Sequence, residues 1–465
     1  MRRKGTFASD AGMLSGPMTA KHDVVGAKGR TTTILTLGLP VIGGMVSQNV
    51  LNLVDTAFVG TLGNAALAAV GTGSFAFFMT TAFVTGLSAG VQAIAARRHG
   101  EGRMDETAVP LNGGLLLAIA LALPLTSIAW LVAPALFHVL NPDPAVIELG
   151  VPFLRVRLLS AVFLGCNFAF RGYWNGINRP GNYLRTLVLM HAVNIALCWL
   201  LIFGNLGAPR LGTLGAGIAN CVATGVGTLY YMGQGLRFAR PAGFLRKLPD
   251  ATALRTMLRI SVPAGIQQLL YAAGLTTLFA IVGHVGTAEA AAASVLTNVM
   301  LVAILPGLAF GIVSASLVGQ SLGRKDRDEA HRWGWDVVKV ATVAMTVLGL
   351  PMLFLPGPVL SIFIHDPETL ALAEPALQVF GGTIAAESVG MVLMNALLGA
   401  GAGKLTMMVS VGMQWLVFLP IAWLIGPVLG YGLLGIWIAQ SAYRSVQALI
   451  YAALWQRRAW ARVEV

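Results

Sequence analysis

The chain has 465 residues, 56% of them hydrophobic and only 11% charged, with a mean hydropathy of +0.75. That composition excludes a soluble globular domain and leaves a polytopic membrane protein. A formal net charge of +12 would suit a nucleic-acid binder, but the basic residues alternate between loops as a topology signal, which removes nucleic acid as a partner.

A span needs about 20 apolar residues. The apolar stretches predict twelve, over residues 32–60, 66–96, 109–139, 150–173, 182–204, 212–236, 256–283, 289–320, 333–364, 371–399, 405–427 and 432–456. The expected fold class is an all-α polytopic membrane protein. Residues 1–31 form a polar, basic tail without the apolar core of a cleavable signal.

The first span holds PVIGGMVSQNVLNLVDTAFVG, Pro40 to Gly60, an apolar stretch carrying one carboxylate, Asp55. An acid near the middle of a membrane helix costs roughly 2.5–3.5 kcal/mol, so Asp55 is expected to face a cavity, an ion path or a partner. Gln48, Asn49 and Asn52 share the stretch, and Asn52, Asp55 and Val59 fall on one helical face. Pro40 lacks a backbone N–H, so the helix is weakened there and Pro40 is read as a hinge.

Basic residues precede the first span and follow the second (Arg97, Arg98, Arg103), fourth (Arg171, Arg179, Arg185), sixth (Arg237, Arg240, Arg246, Lys247, Arg255), eighth (Arg324, Lys325, Arg327, Arg332) and last (Arg457, Arg458, Arg462). The alternate loops carry Arg210, with Arg155 and Arg157 near a span start. The positive-inside rule then places both termini in the cytoplasm. In the fifth span, Asn194 joins Asn49 and Asn52 as an oxygen donor for sodium beside Asp55, whereas a buried Asp55 alone suits a proton. His191, toward the cytoplasmic end of that span, is read as structural first and as a titrating group second.

Of nineteen acidic residues, only Asp55 and Glu387 lie well inside predicted spans. Glu387 and Asn395 share nearly one face of the tenth span. Arg444, in the last span, needs a partner of its own, so Glu387 either meets a cationic substrate or pairs with Arg444. Trp333, Trp335, Trp455 and Trp460 are read as interfacial anchors. Cys166, Cys198 and Cys221 lie within spans and imply no disulfide framework. The chain contains no HExxH, Walker loop, CxxC or GxSxG, so it is not read as an enzyme or an ATP-driven pump, and energy must come from an ion gradient.

Residues 261–286 match 38–63 at an offset of 223, pairing Pro263 with Pro40, and residues 307–326 match 86–105 at an offset of 221. Two parallel six-span lobes follow, 32–236 and 256–456, with a basic cytoplasmic linker over 237–255 and a cytoplasmic tail over 457–465. Such repeats suit a central cavity with alternating access. Asp55 aligns with Leu278, so the lobes are not equivalent in charge.

These residues resemble the multidrug and toxic compound extrusion (MATE) family. The resemblance lies in VDTAFVG within Pro40 to Gly60, the LxxVG of Leu67 to Gly71, FRGYWN (Phe170 to Asn175), NIALCWLLIFG (Asn194 to Gly204), GTLGAGIA (Gly212 to Ala219) and the half-repeat, over about residues 30 to 455. The DinF-like prokaryotic branch is nearest. The resemblance implies two pseudo-symmetric six-helix lobes forming a V in the inner membrane, exporting organic, often cationic, drugs or toxic compounds in exchange for protons or sodium. It implies that Asp55 is the first-helix acid, Pro40 the first-helix proline, Asn194 the fifth-helix Asn of the N-lobe ion site and Glu387 the tenth-helix acid. Cys198 stands where the DinF-like pattern often has Asp, so a two-carboxylate N-lobe site is absent, and Gln267 and Gln268 supply no acid in the seventh helix.

The expected protein is thus a monomeric, bilayer-embedded antiporter with Asp55 as the coupling residue, no cofactor other than H+ or Na+, and no metal apart from Na+ at Asp55 and Asn194. Protons are preferred to sodium. A lipid-linked saccharide flippase of the same superfamily is the alternative. It is favoured by an excess of cationic groups lining the cavity and disfavoured by the two deep acids. An intramembrane enzyme would need paired catalytic groups in one lobe, which are not visible.

Overall fold

The computed structural model describes residues 27–141, 143–364 and 366–463. In a bilayer every backbone N–H and C=O must find a partner within the chain, and an apolar chain of this length solves that with helices. Twelve cross in order: α1 (Ala27–Gly60), α2 (Asn64–Gly100), α3 (Met104–Leu140), α4 (Pro144–Leu158 with Ala161–Gly176), α5 (Pro180–Phe203), α6 (Gly212–Gln234), α7 (Ala251–Val285), α8 (Thr287–Gly323), α9 (Arg327–Phe354), α10 (Pro367–Gly399), α11 (Gly403–Val428) and α12 (Gly432–Gln456). Among the described residues nine helices, and the bent pair that makes α4, are long and apolar enough to span a membrane. The more polar α6 and α12, of 23 and 25 residues, complete two sets of six. The lobes are pseudo-symmetric and form a V.

The irregular points have local causes. The two halves of α4 meet at 47°. α9 ends at Phe354 because Pro356 cannot donate and opens a separate short helix, Pro356–Leu360, so the span expected over 333–364 is shorter and starts earlier. α11 contains two π-helical stretches, Met413–Phe418 and Leu424–Val428, beside Pro420 and Pro427, where a wider turn accommodates a ring and a missing N–H. α6 runs on into a π-helical turn, Gly235–Ala239, and Asp250 caps α7 by accepting from the Ala253 N–H at 2.8 Å. The linker is therefore shorter than the 237–255 expected. Asn112 of α3 holds it by donating to the carbonyls of Gly243 and Lys247 at 2.9 and 2.8 Å.

Three tryptophans expected as interfacial anchors are buried instead. Trp455 stacks on Trp460 with ring centres 3.9 Å apart, and Trp333 lies beneath the Arg30 guanidinium at 4.3 Å. Their rings fill the joint between α1, α9 and the residues after α12, where packing takes the place of headgroup contact. Most of the tail expected over residues 1–31 lies outside the described residues, as do 464 and 465.

The lobes meet over the halves of α1, α2, α7, α8 and α9 that adjoin the Arg- and Lys-rich loops. There α2 and α8 pack backbone to backbone: a Cβ on Gly100 would lie 2.0 Å from the Gln320 carbonyl oxygen, and one on Gly323 would lie 2.2 Å from that of Arg97. Polar side chains lock the contact. Gln92 donates to the Ile312 carbonyl at 2.7 Å and to Ser316 Oγ at 2.8 Å, and Gln320 donates to the Gly176 carbonyl at 2.8 Å. Asn178 donates to Gln320 Oε1 at 2.9 Å, and Arg30 pairs with Asp336 at 2.6 Å.

Candidate functional site

α1, α2, α4, α5 and α6 surround a cavity of about 850 Å³ within the N-lobe, walled on the other side by Leu305 and Leu308 of α8. Asp55 reaches it from α1, five residues before that helix ends at Gly60. Asn194 and Cys198, one turn apart on α5, face the same carboxylate oxygen: Asn194 Nδ2 donates to Asp55 Oδ1 at 2.8 Å, and the Cys198 thiol donates to it at 3.7 Å. No basic side chain among the described residues lies within ion-pairing distance of Asp55. Asn194 is 1% exposed and its Oδ1 has no hydrogen-bond partner, so one uncommitted oxygen sits beside the acid. That oxygen, with Asp55 Oδ2, is free to receive either a proton's hydrogen bond or a hard cation.

A second polar chain leads into the same cavity. His191 accepts from or donates to Ser47 Oγ across 2.6 Å, its Nε2 faces Gln48 Oε1 at 3.2 Å, and Gln48 Nε2 donates to Asn52 Oδ1 at 3.3 Å. Because a hydroxyl both donates and accepts, rotation of the Ser47 O–H lets this arrangement hold either a neutral or a protonated imidazole. Asn49 also lines the cavity, but its amide nitrogen is committed to the Met45 carbonyl at 3.1 Å. Gln48, Asn49, Asn52, Asp55, Asn194 and Cys198 are thus gathered around one space.

The remaining candidates lie elsewhere. Glu387 and Arg444 form an ion pair in the C-lobe, Oε1 to Nε 3.4 Å, beside a space of only about 50 Å³. Arg444 also donates to Gln447 Oε1 at 3.2 Å and stands 5.5 and 5.9 Å from the ring centres of Tyr443 and Tyr271. Asn395 donates to the Met391 carbonyl at 2.9 Å and packs on Gly311, away from both spaces. Pro40 lies in an unbroken α1, outside the cavity lining. Removing one member of a buried pair strands the other charge. Glu387→Gln is therefore expected to cost about 3 kcal/mol of stability, with Glu387→Gln/Arg444→Gln recovering most of it. Thermal denaturation in detergent checks this, and equal melting of single variant and parent refutes it.

Two basic residues lie elsewhere than the loop-charge pattern puts them: Arg157 and Arg171 both sit on α4 and line the cavity, and His191 lines it as well. The available signal was position: both arginines fall inside the span expected over 150–173, a stretch already apolar enough to cross.

Two parallel six-helix repeats, the first of which encloses a cavity holding a single carboxylate, define a membrane transporter. The MatE family model matches residues 40–200 and again 263–424, starting at Pro40 and Pro263 of the repeat, and the chain belongs to the MATE family of multidrug and toxic compound extrusion transporters. It is 27% identical over 439 residues to the probable multidrug resistance protein NorM of Rhodopseudomonas palustris, covering 91% of each chain. It is 28% identical over 423 residues to that of Synechococcus sp., covering 88% of this chain and 89% of the relative. Among solved structures, a MOP superfamily transporter from Pyrococcus furiosus, described as having a binding pocket of reverse polarity that suggests a different function, superposes with a TM-score of 0.85 at 22% identity, covering 94% of this chain and 97% of that one. An outward-facing multidrug resistance MATE transporter superposes with a TM-score of 0.85 at 20% identity over the same shares.

Proposed function

We propose that the protein is a secondary antiporter of the inner membrane that exports amphipathic organic compounds bearing a basic nitrogen, in exchange for protons taken up at Asp55. The observation that carries this reading is Asp55 itself: a carboxylate on a drug-sized cavity, held by two neutral donors and by no cation. A site that holds either a proton or a basic nitrogen, but not both, exchanges one for the other. Sodium fits less well. With Cys198 in place of a second acid, the oxygens free to ligate it are Asp55 Oδ2 and Asn194 Oδ1, whereas hard cations gather more.

With both termini cytoplasmic, the packed ends of α2 and α8 close the inner side and the cavity faces out. Protonation of Asp55 then releases cargo, and flexing of α1 at Pro40 accompanies the return. A flippase for a lipid-linked anionic saccharide is the second reading. Two arginines against one acid on the cavity favour it, and Glu387 no longer counts against it because Arg444 occupies that carboxylate.

The test uses purified protein in liposomes with an internal pH dye, an imposed pH gradient, no sodium, and an added cation such as ethidium. Cargo-triggered proton flux is expected. Flux that requires a sodium gradient overturns the proton assignment, and absence of flux with either ion across a broad panel overturns antiport in favour of the flippase.

A further inference from the structure

The segment that follows α6, GLRFARPAGFLRKLP over residues 235–249, exposes arginines among apolar side chains. We infer that it is a docking surface for anionic phospholipids, its apolar side chains entering the acyl region while Arg237, Arg240 and Arg246 meet the phosphates.

The segment is fixed from within. Phe244 is fully buried, packs on Gly235 and lies 5.8 Å from the Phe170 ring centre. The Ala108 N–H donates to the Ala242 carbonyl at 3.0 Å, and Asn112, which already donates to the carbonyls of Gly243 and Lys247, accepts from the Leu245 N–H at 3.0 Å. That bracket holds Leu245 at a φ of 53°, a left-handed conformation that a residue other than glycine keeps only where its surroundings impose it. The outer face of the turn is therefore a fixed surface.

That face mixes two kinds of group. Leu236, Phe238, Leu245 and Leu248 are all exposed, Leu248 to 78%. They continue a surface already turned to lipid: Val222, Leu229 and Leu236 recur every seven residues, two turns apart, and all three are exposed along one side of α6 and its π-helical continuation. Arg237, Arg240 and Arg246 are exposed on the same segment, and none makes an ion pair among the described residues. The neighbouring acids are engaged elsewhere. Asp105 and Glu106 pair with Lys247, Glu106 also pairs with Arg103, and Asp250 caps α7. Lys247 is thus neutralised within the protein, and the three arginines are left to an external anion.

Water alone suits the arginines but leaves four large apolar side chains uncovered. Acyl chains alone suit the apolar groups but strand three guanidiniums. An acidic protein would meet the charges but would have to displace lipid from the stripe on α6. The headgroup boundary of an anionic leaflet supplies both environments in one layer: the arginine stems lie along apolar surface, and their planar forks match phosphate oxygens. Basic groups beside a span end are drawn to such a leaflet.

The test places a fluorophore, introduced as an unnatural amino acid at the position of Leu248, in the full-length protein reconstituted into liposomes of phosphatidylcholine with a minor share of phosphatidylglycerol. One lipid or the other carries brominated acyl chains, which quench on contact. Per brominated lipid, phosphatidylglycerol is expected to quench at least about three-fold more strongly than phosphatidylcholine. This excess is expected to vanish at about 1 M salt, where charges are screened within about 3 Å. Arg237→Gln/Arg240→Gln/Arg246→Gln is expected to bring the ratio close to one while quenching by phosphatidylcholine persists, which shows that the segment still lies in the bilayer. Arg185→Gln/Arg332→Gln/Lys404→Gln removes as many exposed charges elsewhere and is expected to keep the parental ratio. Equal quenching by the two lipids in the parent, or equal loss of preference in both triple variants, overturns the inference. Absence of quenching by either lipid also overturns it and turns the segment toward a soluble partner.

Discussion

Asp55→Asn is expected to reduce cargo-triggered proton flux to the level of empty liposomes while the protein still folds and inserts. The amide keeps the shape of the carboxyl and can still meet Asn194, 2.8 Å away, but it neither ionises nor takes up a proton. It mimics the protonated state permanently, so the two cargo-dependent states that an exchanger must alternate between collapse into one. Loss of the acid also removes the charge that attracts a cation, so binding of ethidium is expected to weaken by about ten-fold or more. The informative comparison is flux in Asp55→Asn against flux in Glu387→Gln, made in the same liposomes. Flux surviving in the first and vanishing in the second moves the coupling site to the C-lobe and ends the present reading.

The second large effect is expected at the inter-lobe seal. A Cβ on Gly100 meets the Gln320 carbonyl oxygen at 2.0 Å and its carbon at 2.7 Å, and these are backbone atoms of a long helix, which cannot swing aside as a side chain does. Gly100→Ala must therefore part α2 from α8 and strain the bonds made by Gln92, Gln320 and Asn178. At about 1–3 kcal/mol for overpacking, the balance between sealed and unsealed forms shifts by roughly five- to 150-fold. Arg185 on α5 and Lys404 on α11 are exposed and lie at the same ends of their helices, one in each lobe. Spin labels introduced there as unnatural amino acids are expected to show a longer distance in Gly100→Ala than in the parent, with exchange slowed in parallel. An unchanged distance distribution together with full exchange refutes the seal. Gly323→Ala, meeting the Arg97 carbonyl oxygen at 2.2 Å from the facing helix, is expected to act the same way.

Both predictions use residues that differ in how openly the chain displays them. Asp55 is conspicuous because a lone carboxylate in an apolar run contradicts its surroundings, and that contradiction is local. Gly100 is one of 55 glycines, and its role depends on what a different helix 220 residues away brings to it. Glu387 shows the intermediate case: the need for a partner was evident, and Arg444 was a named candidate, but only the packing of α10 against α12 brings their atoms to 3.4 Å. Arg157 and Arg171 were misjudged for the opposite reason. A basic residue near a span end fits the loop-charge pattern so well that the pattern absorbs it, and the direction of its side chain goes unexamined.

By itself the sequence determined what periodicity, composition and internal similarity encode: the membrane class, the spans, the duplication and the acid that breaks the apolar pattern of α1. These follow from interactions each helix makes with the bilayer, which are the same along the chain and need no knowledge of its neighbours. The tertiary structure alone decided which polar groups share a space. It joined Asp55 to Asn194 and Cys198, set His191 and two unpaired arginines on the same cavity, removed Glu387 to an ion pair and closed the lobes at one end. Those outcomes depend on helix rotation and on contacts between residues far apart in the chain, set by side-chain volume and close backbone approach in a densely packed bundle.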